Sequence, residues 1–354
     1  MPATPAYRLP GEWEPQWAAM LTWPHAGGEW GSELPLVEET FLRLARTIAS
    51  RQTLLVACHG GELAGRVRHL LRDCGDQVTV FPTASNDIWV RDHGPITIIG
   101  EDGRPRLLDF RFNGWGGKYP ADLDDALTAA LARQGAFGNR SVLHLPWILE
   151  GGSLDSDGEG TLLTTGRCLL DPRRNPDTDR DWWEEGFRRW FGVSRVLWLA
   201  HGELQGDDTD GHVDMLARFI TADTIVHVAC DDPADPHYHP LHTMKQELDT
   251  FRRADGSPYR LIPLPWPSPR HDAQGRRLPL SYANFLLING AVLVPAYDVP
   301  EDVEALELMR SLFPNRDVVP IPAMPLIRQG GAVHCATQHI PLGGHRAAYV
   351  SRRT

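Results

Sequence analysis

Long apolar runs, paired cysteines and positive charge are all in short supply in this chain of 354 residues, and each shortage removes a class of protein. No stretch approaches the roughly 18 consecutive apolar residues of a membrane span, and the N-terminus MPATPAYRLPGEWEPQW has no basic region leading into an apolar one. Neither a membrane anchor nor a secretory signal is expected, and the sequence reads as cytoplasmic. The five cysteines, Cys58, Cys74, Cys168, Cys230 and Cys335, are an odd number without a CxxC pair, which speaks against a disulfide framework or a cysteine-rich zinc site. The 35 Lys and Arg against 46 Asp and Glu leave a net charge of −11, the wrong sign for a phosphate-tracking surface and suited to small cations. Nucleic acid is therefore not an expected partner. No GxGxxG or GxxxxGK[ST] opens a helix, so nucleotide binding is unsupported, and no cofactor is expected.

The 42% apolar and 23% charged residues are those of a globular protein. Apolar residues at three- and four-residue steps predict helices, each followed by a strand. Val37, Phe41, Leu44, Ala45 and Ile48 precede Thr53 to Cys58, and Leu63, Val67, Leu70 and Leu71 precede Val78 to Phe81. Leu123, Leu127, Ala130 and Leu131 lead to Ser141 to Leu145. Trp183, Phe187, Trp190 and Phe191, closed by Gly192, lead to Arg195 to Leu199. Leu241, Met244, Leu248 and Phe251 lead to Tyr259 to Leu264, and Val303, Leu306, Met309 and Leu312 to Val318 to Ile321. From the second helix onward the starts fall near residues 62, 123, 177, 240 and 300, a period of roughly 60 that predicts five similar units. Further strands at Thr161 to Thr165, Thr224 to Val228, Phe285 to Ile288 and Ala291 to Val294 give each unit more than one strand. A closed ring of small mixed sheets fits this better than an open α/β sheet, which stays open as the alternative. Only turn-rich segments, 171–179 and 254–257, interrupt the pattern, so a single domain over 1–354 is expected.

Polar clusters follow the strands: Asn86 to Pro95, Glu150 to Ser153, Asp207 to Asp214 and Gly330 to Gln338. In a ring they converge on one point. A cysteine nucleophile needs thiolate character, which surrounding carboxylates oppose unless a cationic substrate balances them. A guanidinium offers five N–H donors in a fixed fork that carboxylates can hold on two sides while the thiolate attacks its central carbon. A histidine beside them suits two proton transfers near neutrality.

The motifs WxRDxGP (Trp89 to Pro95), EGG (Glu150 to Gly152), DDTDGHVD (Asp207 to Asp214) and GGxxHCxTQ (Gly330 to Gln338), in this order, resemble the agmatine deiminase and bacterial-type peptidylarginine deiminase family. The resemblance runs from Trp23-Pro24-His25 through Phe112 to Gly117 to Tyr282-Ala283-Asn284-Phe285. It implies the five-bladed, pseudo-fivefold α/β propeller, or pentein fold. It also implies Cys335 as nucleophile, His212 as general acid and base, Asp92 and Asp214 as carboxylates gripping the guanidinium, and Glu150 binding it and orienting His212. Agmatine would yield N-carbamoylputrescine and ammonia through a covalent thiouronium. A homodimer is expected by the same resemblance.

Taken by themselves, these residues also have plainer readings. Asp92 is equally a partner for Arg91 or a turn cap, Glu150 a cap for the glycine turn, and His212 with Asp214 a pair of metal ligands, although no metal-site spacing supports that. Cys58, Cys74, Cys168 and Cys230 lie in or beside apolar runs and read as inert. Trp89 and Trp115 are core aromatics or cation–π walls of the pocket. Asp208 is a partner for a distal ammonium or part of a solvated acidic turn, and Asp87 and Gln205 stand as outer groups. Peptidyl or free arginine is the alternative substrate. The secreted peptidylarginine enzymes carry an added immunoglobulin-like domain for which there is no length here, and free arginine needs a partner for its carboxylate, so agmatine is preferred. A non-catalytic amine-binding module and a zinc amidohydrolase are the readings from other classes. Two departures from many agmatine enzymes, Gln338-His339 for Gln-Gln and Asn113-Gly114 for Asn-Ala, leave the catalytic set untouched.

Overall fold

A computed structural model describes residues 7–344. Five small sheets share one wiring, in which an antiparallel pair is followed by a helical crossover to a third strand lying parallel to the second. A tight turn suffices for the antiparallel step, whereas the parallel step needs the crossover. The first blade holds Ile96–Gly100, Pro105–Arg111 and Val142–Ile148, with Tyr7–Arg8 added at its edge. The second holds Leu154–Ser156, Thr161–Thr165 and Arg195–Leu199, and the third Ala217–Thr221, Thr224–Val228 and Arg260–Leu264. The fourth is Leu286–Ile288, Ala291–Ala296 and Asp317–Pro322. The fifth joins the two ends of the chain: Gln338–Pro341 pairs antiparallel with Gln16–Thr22, followed by Thr53–Cys58 and Val78–Pro82. The result is the five-bladed α/β propeller.

The crossover helices form where the apolar stripes predict them. Leu34–Ala49 carries Pro35 in its first turn and buries Val37, Phe41, Leu44, Ala45 and Ile48. Arg180–Phe191 is capped by the Asp179 side chain on Trp182 N and ended by Gly192 at φ 65°, the left-handed position that suits glycine. Tyr238–Thr250 and Glu301–Leu312 serve the third and fourth blades. In the first blade the expected helix is broken into Asp122–Asp125 and Leu127–Arg133.

The number of units is five, but the phase of the repeat differs from the sequence reading. Gly60–Leu70, counted there as the first unit's helix, only carries the chain to the extra strand Val78–Pro82. The equivalent crossover is Leu34–Ala49. One blade is assembled from both chain ends, so its repeat cannot show as a linear period. Strands Ile96–Gly100, Leu154–Ser156 and Ala217–Thr221 were not anticipated; almost every residue in them is buried, which leaves no polar alternation to read. Each blade's first strand is preceded by a short turn, and these five turns carry the site. Among the described residues, no helix is long and apolar enough to cross a membrane.

Candidate active site

The turn Val90–His93 supplies Asp92, Gly151–Ser153 follows Glu150, and Val213–Met215 places Asp214 beside His212. The other two turns bring Asn284 and Cys335. All five of the residues expected to carry the chemistry, Cys335, His212, Asp92, Asp214 and Glu150, are thus brought together, and each is buried.

Cys335 Sγ lies 3.7 Å from Asp214 Oδ2 and accepts from Asn284 Nδ2 at 3.1 Å. Asp92 is oriented by neutral donors, Trp115 Nε1 at 2.9 Å on Oδ2 and Gly152 N at 3.0 Å on Oδ1. His212 Nε2 meets Glu150 Oε2 at 2.8 Å, while its Nδ1 is 3.5 Å from Asp92 Oδ1. His212 Nδ1 and Asp214 Oδ1 are buried without a hydrogen-bond partner. Asp214 Oδ2 is taken by His334 Nδ1 at 2.7 Å.

The glycines of the motifs are explained by contact distances rather than by phosphate binding. A Cβ on Gly151 would sit 2.2 Å from the Arg91 carbonyl oxygen. One on Gly152 would lie 2.6 Å from His212 Nδ1, 2.8 Å from Asp92 Oδ1 and 3.1 Å from Asp214 Oδ2. One on Gly331 would strike the Trp89 ring at 2.3 Å. EGG and GG are therefore the spaces that let the turns of four blades approach.

A cavity of about 470 Å³ opens above Cys335 and Asp92, walled by Trp89 and Trp115, with Asp87, Asp207 and Asp208 higher up. Trp115 does more than the wall role expected of it, since its indole N–H fixes Asp92. Asp208 stands at the mouth, where its carboxylate accepts from the Tyr119 hydroxyl and lies 3.4 Å from Lys118 Nζ. It is already shared with a cation. Arg276, Arg277 and Arg328 also line the mouth, each paired with an acid: Asp272, Asp235 and Glu33. Gln205 is exposed and does not line the cavity.

Burial sets the charges. It pushes the Cys335 thiol well above its usual value, with Asp214 and Asp92 adding to the shift. Burial raises Asp92 to about 6 even though His212 opposes it. Burial by itself would depress His212, but Asp92, Cys168 and Glu150 outweigh it and hold the imidazole well above 6.5. Asp214 goes the other way: His334, His212 and Arg218 overcome burial and keep it below the ordinary carboxylate range.

Glu150 faces His212 and Arg174 rather than the cavity, accepting from Arg174 Nε at 2.9 and 3.0 Å on its two oxygens. Glu150, Cys168 and His212 place one ligand atom each within 4.8 Å of one another, a spacing a metal could use. The Arg174 guanidinium already neutralises that carboxylate, and Asp214 Oδ2 is committed to His334, so the donors do not suit a divalent cation. Cys168, read as inert from its apolar surroundings, sits 3.5 Å from Glu150 Oε2. The functional residues that sequence reasoning passed over are Asn284, Arg174, His334 and Glu12. Asn284 lay inside a motif of the resemblance and His334 next to Cys335, whereas nothing local marks Arg174 or Glu12.

A thiol flanked by two carboxylates and a charged imidazole, at the hub of a five-bladed α/β propeller, places the chain among enzymes that act on the C–N bonds of guanidino groups. The sequence model of the Porphyromonas-type peptidyl-arginine deiminases matches residues 8–341, and the chain belongs to that family. It is 33% identical to the agmatine deiminase of Stutzerimonas stutzeri, over 96% of this chain and 97% of that one. Among solved structures it is similar to a C. jejuni agmatine deiminase with substrate bound, at 33% identity and a TM-score of 0.88, covering 96% and 97% of the two chains. A Porphyromonas gingivalis protein provisionally described as an arginine deiminase is 46% identical, with a TM-score of 0.89 and coverage of 95% and 98%.

Proposed function

We propose that this chain, acting as a single domain, hydrolyses agmatine to N-carbamoylputrescine and ammonia with Cys335 as nucleophile. The observation that carries the reading is the position of Cys335 Sγ, 3.7 Å from an ionised Asp214 and open to a cavity that Asp92 also lines. A thiol so placed stays protonated until a cation arrives, and a guanidinium held between Asp92 and Asp214 is that cation. As the cation binds, the thiol gives up its proton to solvent, and the thiolate attacks the guanidinium carbon. His212, protonated at neutrality, gives its proton to the departing nitrogen, and ammonia leaves behind a thiouronium on Cys335. Water, deprotonated by the same imidazole, attacks that carbon and expels the thiolate. The balance is one guanidinium and one water converted to one ureido group and one ammonium. Glu150, locked by Arg174, holds the His212 ring for both transfers.

The acidic wall above Cys335 suits the ammonium of agmatine. Similarity to the Porphyromonas gingivalis protein keeps free or peptidyl arginine as the second substrate reading. Release of ammonia and of ureido product from agmatine, free arginine and a blocked arginine peptide, for wild type and Cys335→Ala, tests both. Agmatine turnover lost in the variant is expected. Preference for an arginine substrate would overturn the substrate, and turnover surviving Cys335→Ala would overturn the chemistry.

A further inference from the structure

The two carboxylates that flank Cys335 are not equivalent. Asp92 is held by an indole and a backbone amide, both neutral, whereas Asp214 is held by the ring of His334. That ring is itself sandwiched, with Nδ1 2.7 Å from Asp214 Oδ2 and Nε2 2.7 Å from Glu12 Oε2, and it is 2% exposed. Both ring nitrogens therefore face carboxylate oxygens, and the ring is fixed between the two acids.

The sandwich is built rather than incidental. The His334 amide donates to Asn284 at the backbone oxygen (3.1 Å) and at Oδ1 (3.0 Å), and Arg91 Nε donates to the His334 carbonyl at 3.3 Å. Glu12 accepts in turn from Arg218 Nη2 at 2.9 Å and from Leu287 N at 2.8 Å. Burial would raise Glu12, but Arg218 and His334 outweigh it and hold it well below the ordinary range. Around Asp214 stand His212, Cys335, Arg218 and, across Gly152, Asp92; around His334 stand Glu12, Arg91, Arg218 and His339.

We propose that His334, braced by Glu12, is a positioning residue that keeps Asp214 ionised while Cys335 ionises beside it, so that a guanidinium and not a proton neutralises the site. With Oδ2 held by the His334 ring, Asp214 Oδ1, buried and without a partner, is the atom left to receive a substrate N–H. Without His334 the thiolate 3.7 Å away would draw a proton onto Asp214, and the grip on the cation would be lost. The inference rests on the guanidine-hydrolysing reading above.

The test compares wild type, His334→Gln and Glu12→Gln in two assays. One is the pH profile of kcat/KM for agmatine. The other is the rate at which Cys335 is alkylated by 2-chloroacetamidine, a cation, relative to iodoacetamide, which is neutral. In wild type the amidine is favoured. His334→Gln is expected to cut that preference at least about tenfold, the worth of one charge-assisted hydrogen bond to a buried carboxylate, and to move the acid limb of kcat/KM to higher pH. Glu12→Gln shifts both in the same direction by less, and it decides the matter alone if His334→Gln does not fold. Equal loss of both alkylation rates, as general disruption would produce, or an unchanged preference and acid limb, overturns the role. A wild type that alkylates selectively but turns over no guanidine would instead sink the proposed function and leave the role of His334 to the labelling ratio.

Discussion

Replacing Gly152 by alanine adds one methyl group at the point where three blades meet. Its φ is not in the left-handed region, so backbone strain does not enter. What changes is space, since the new Cβ would lie 2.6 Å from His212 Nδ1 and 2.8 Å from Asp92 Oδ1. To regain an ordinary contact His212 must retreat by roughly 0.8 Å, against a ring already tied to Glu150 at 2.8 Å. Displacements of that size at reacting groups cost on the order of 100-fold in rate, about 2.7 kcal/mol of barrier. Overpacking of the fold itself costs about 1–3 kcal/mol. Steady-state ammonia release should therefore fall at least about 100-fold in kcat/KM, while denaturant unfolding shows a folded protein of modestly reduced stability. Gly65→Ala is the control: it lies inside the helix Gly60–Leu70 with no atom within 4 Å of its added Cβ, and it is expected to be neutral or stabilising by about 0.5–1 kcal/mol. A Gly152→Ala enzyme with kcat/KM within about threefold of wild type would refute the packing argument.

Since Asp92 is raised to about 6 and must be ionised to hold a cation, kcat/KM should fall as pH drops through that value; a profile flat down to pH 5 would contradict it. Free of substrate, the Cys335 thiol is pushed well up, so iodoacetamide should react slowly at neutrality and faster only in strongly alkaline buffer, as followed by mass spectrometry. Trp115→Phe keeps the ring and loses the donor to Asp92 Oδ2, with an expected loss of about tenfold in kcat/KM and an acid limb moved to higher pH, whereas a change in KM alone would make Trp115 a wall only. Arg218→Met strands the buried carboxylates of Asp155 and Glu12, both of which the guanidinium bonds, and should cost about 3–5 kcal/mol in urea unfolding.

Much of the site was legible because its chemistry is concentrated in short turns. Asp92, Glu150, His212, Asp214 and Cys335 stand in polar clusters flanked by glycines, against apolar strands that contrast with them. The partners that set their charge were not legible. Arg174 lies in a turn-rich segment with nothing local to distinguish it from other surface arginines, yet its side chain is buried against Glu150. Glu12 is 322 residues from the histidine it braces. Cys168 looked inert because the residues around it in the chain are apolar, although across the fold it meets Glu150.

The sequence by itself determined the crossover helices, most of the outer strands, the presence of five units and the kinds of side chain available for the chemistry, because periodicity and composition are local properties. Only the tertiary structure decided which unit is split between the two chain ends, since strand pairing between Gln16–Thr22 and Gln338–Pro341 leaves no linear repeat. It alone decided the protonation of the site as well. Whether a buried carboxylate sits near 6, as Asp92 does, or stays below the ordinary range, as Asp214 does, depends on whether the cations around it outweigh burial and the neighbouring carboxylates, and several of those neighbours come from other blades.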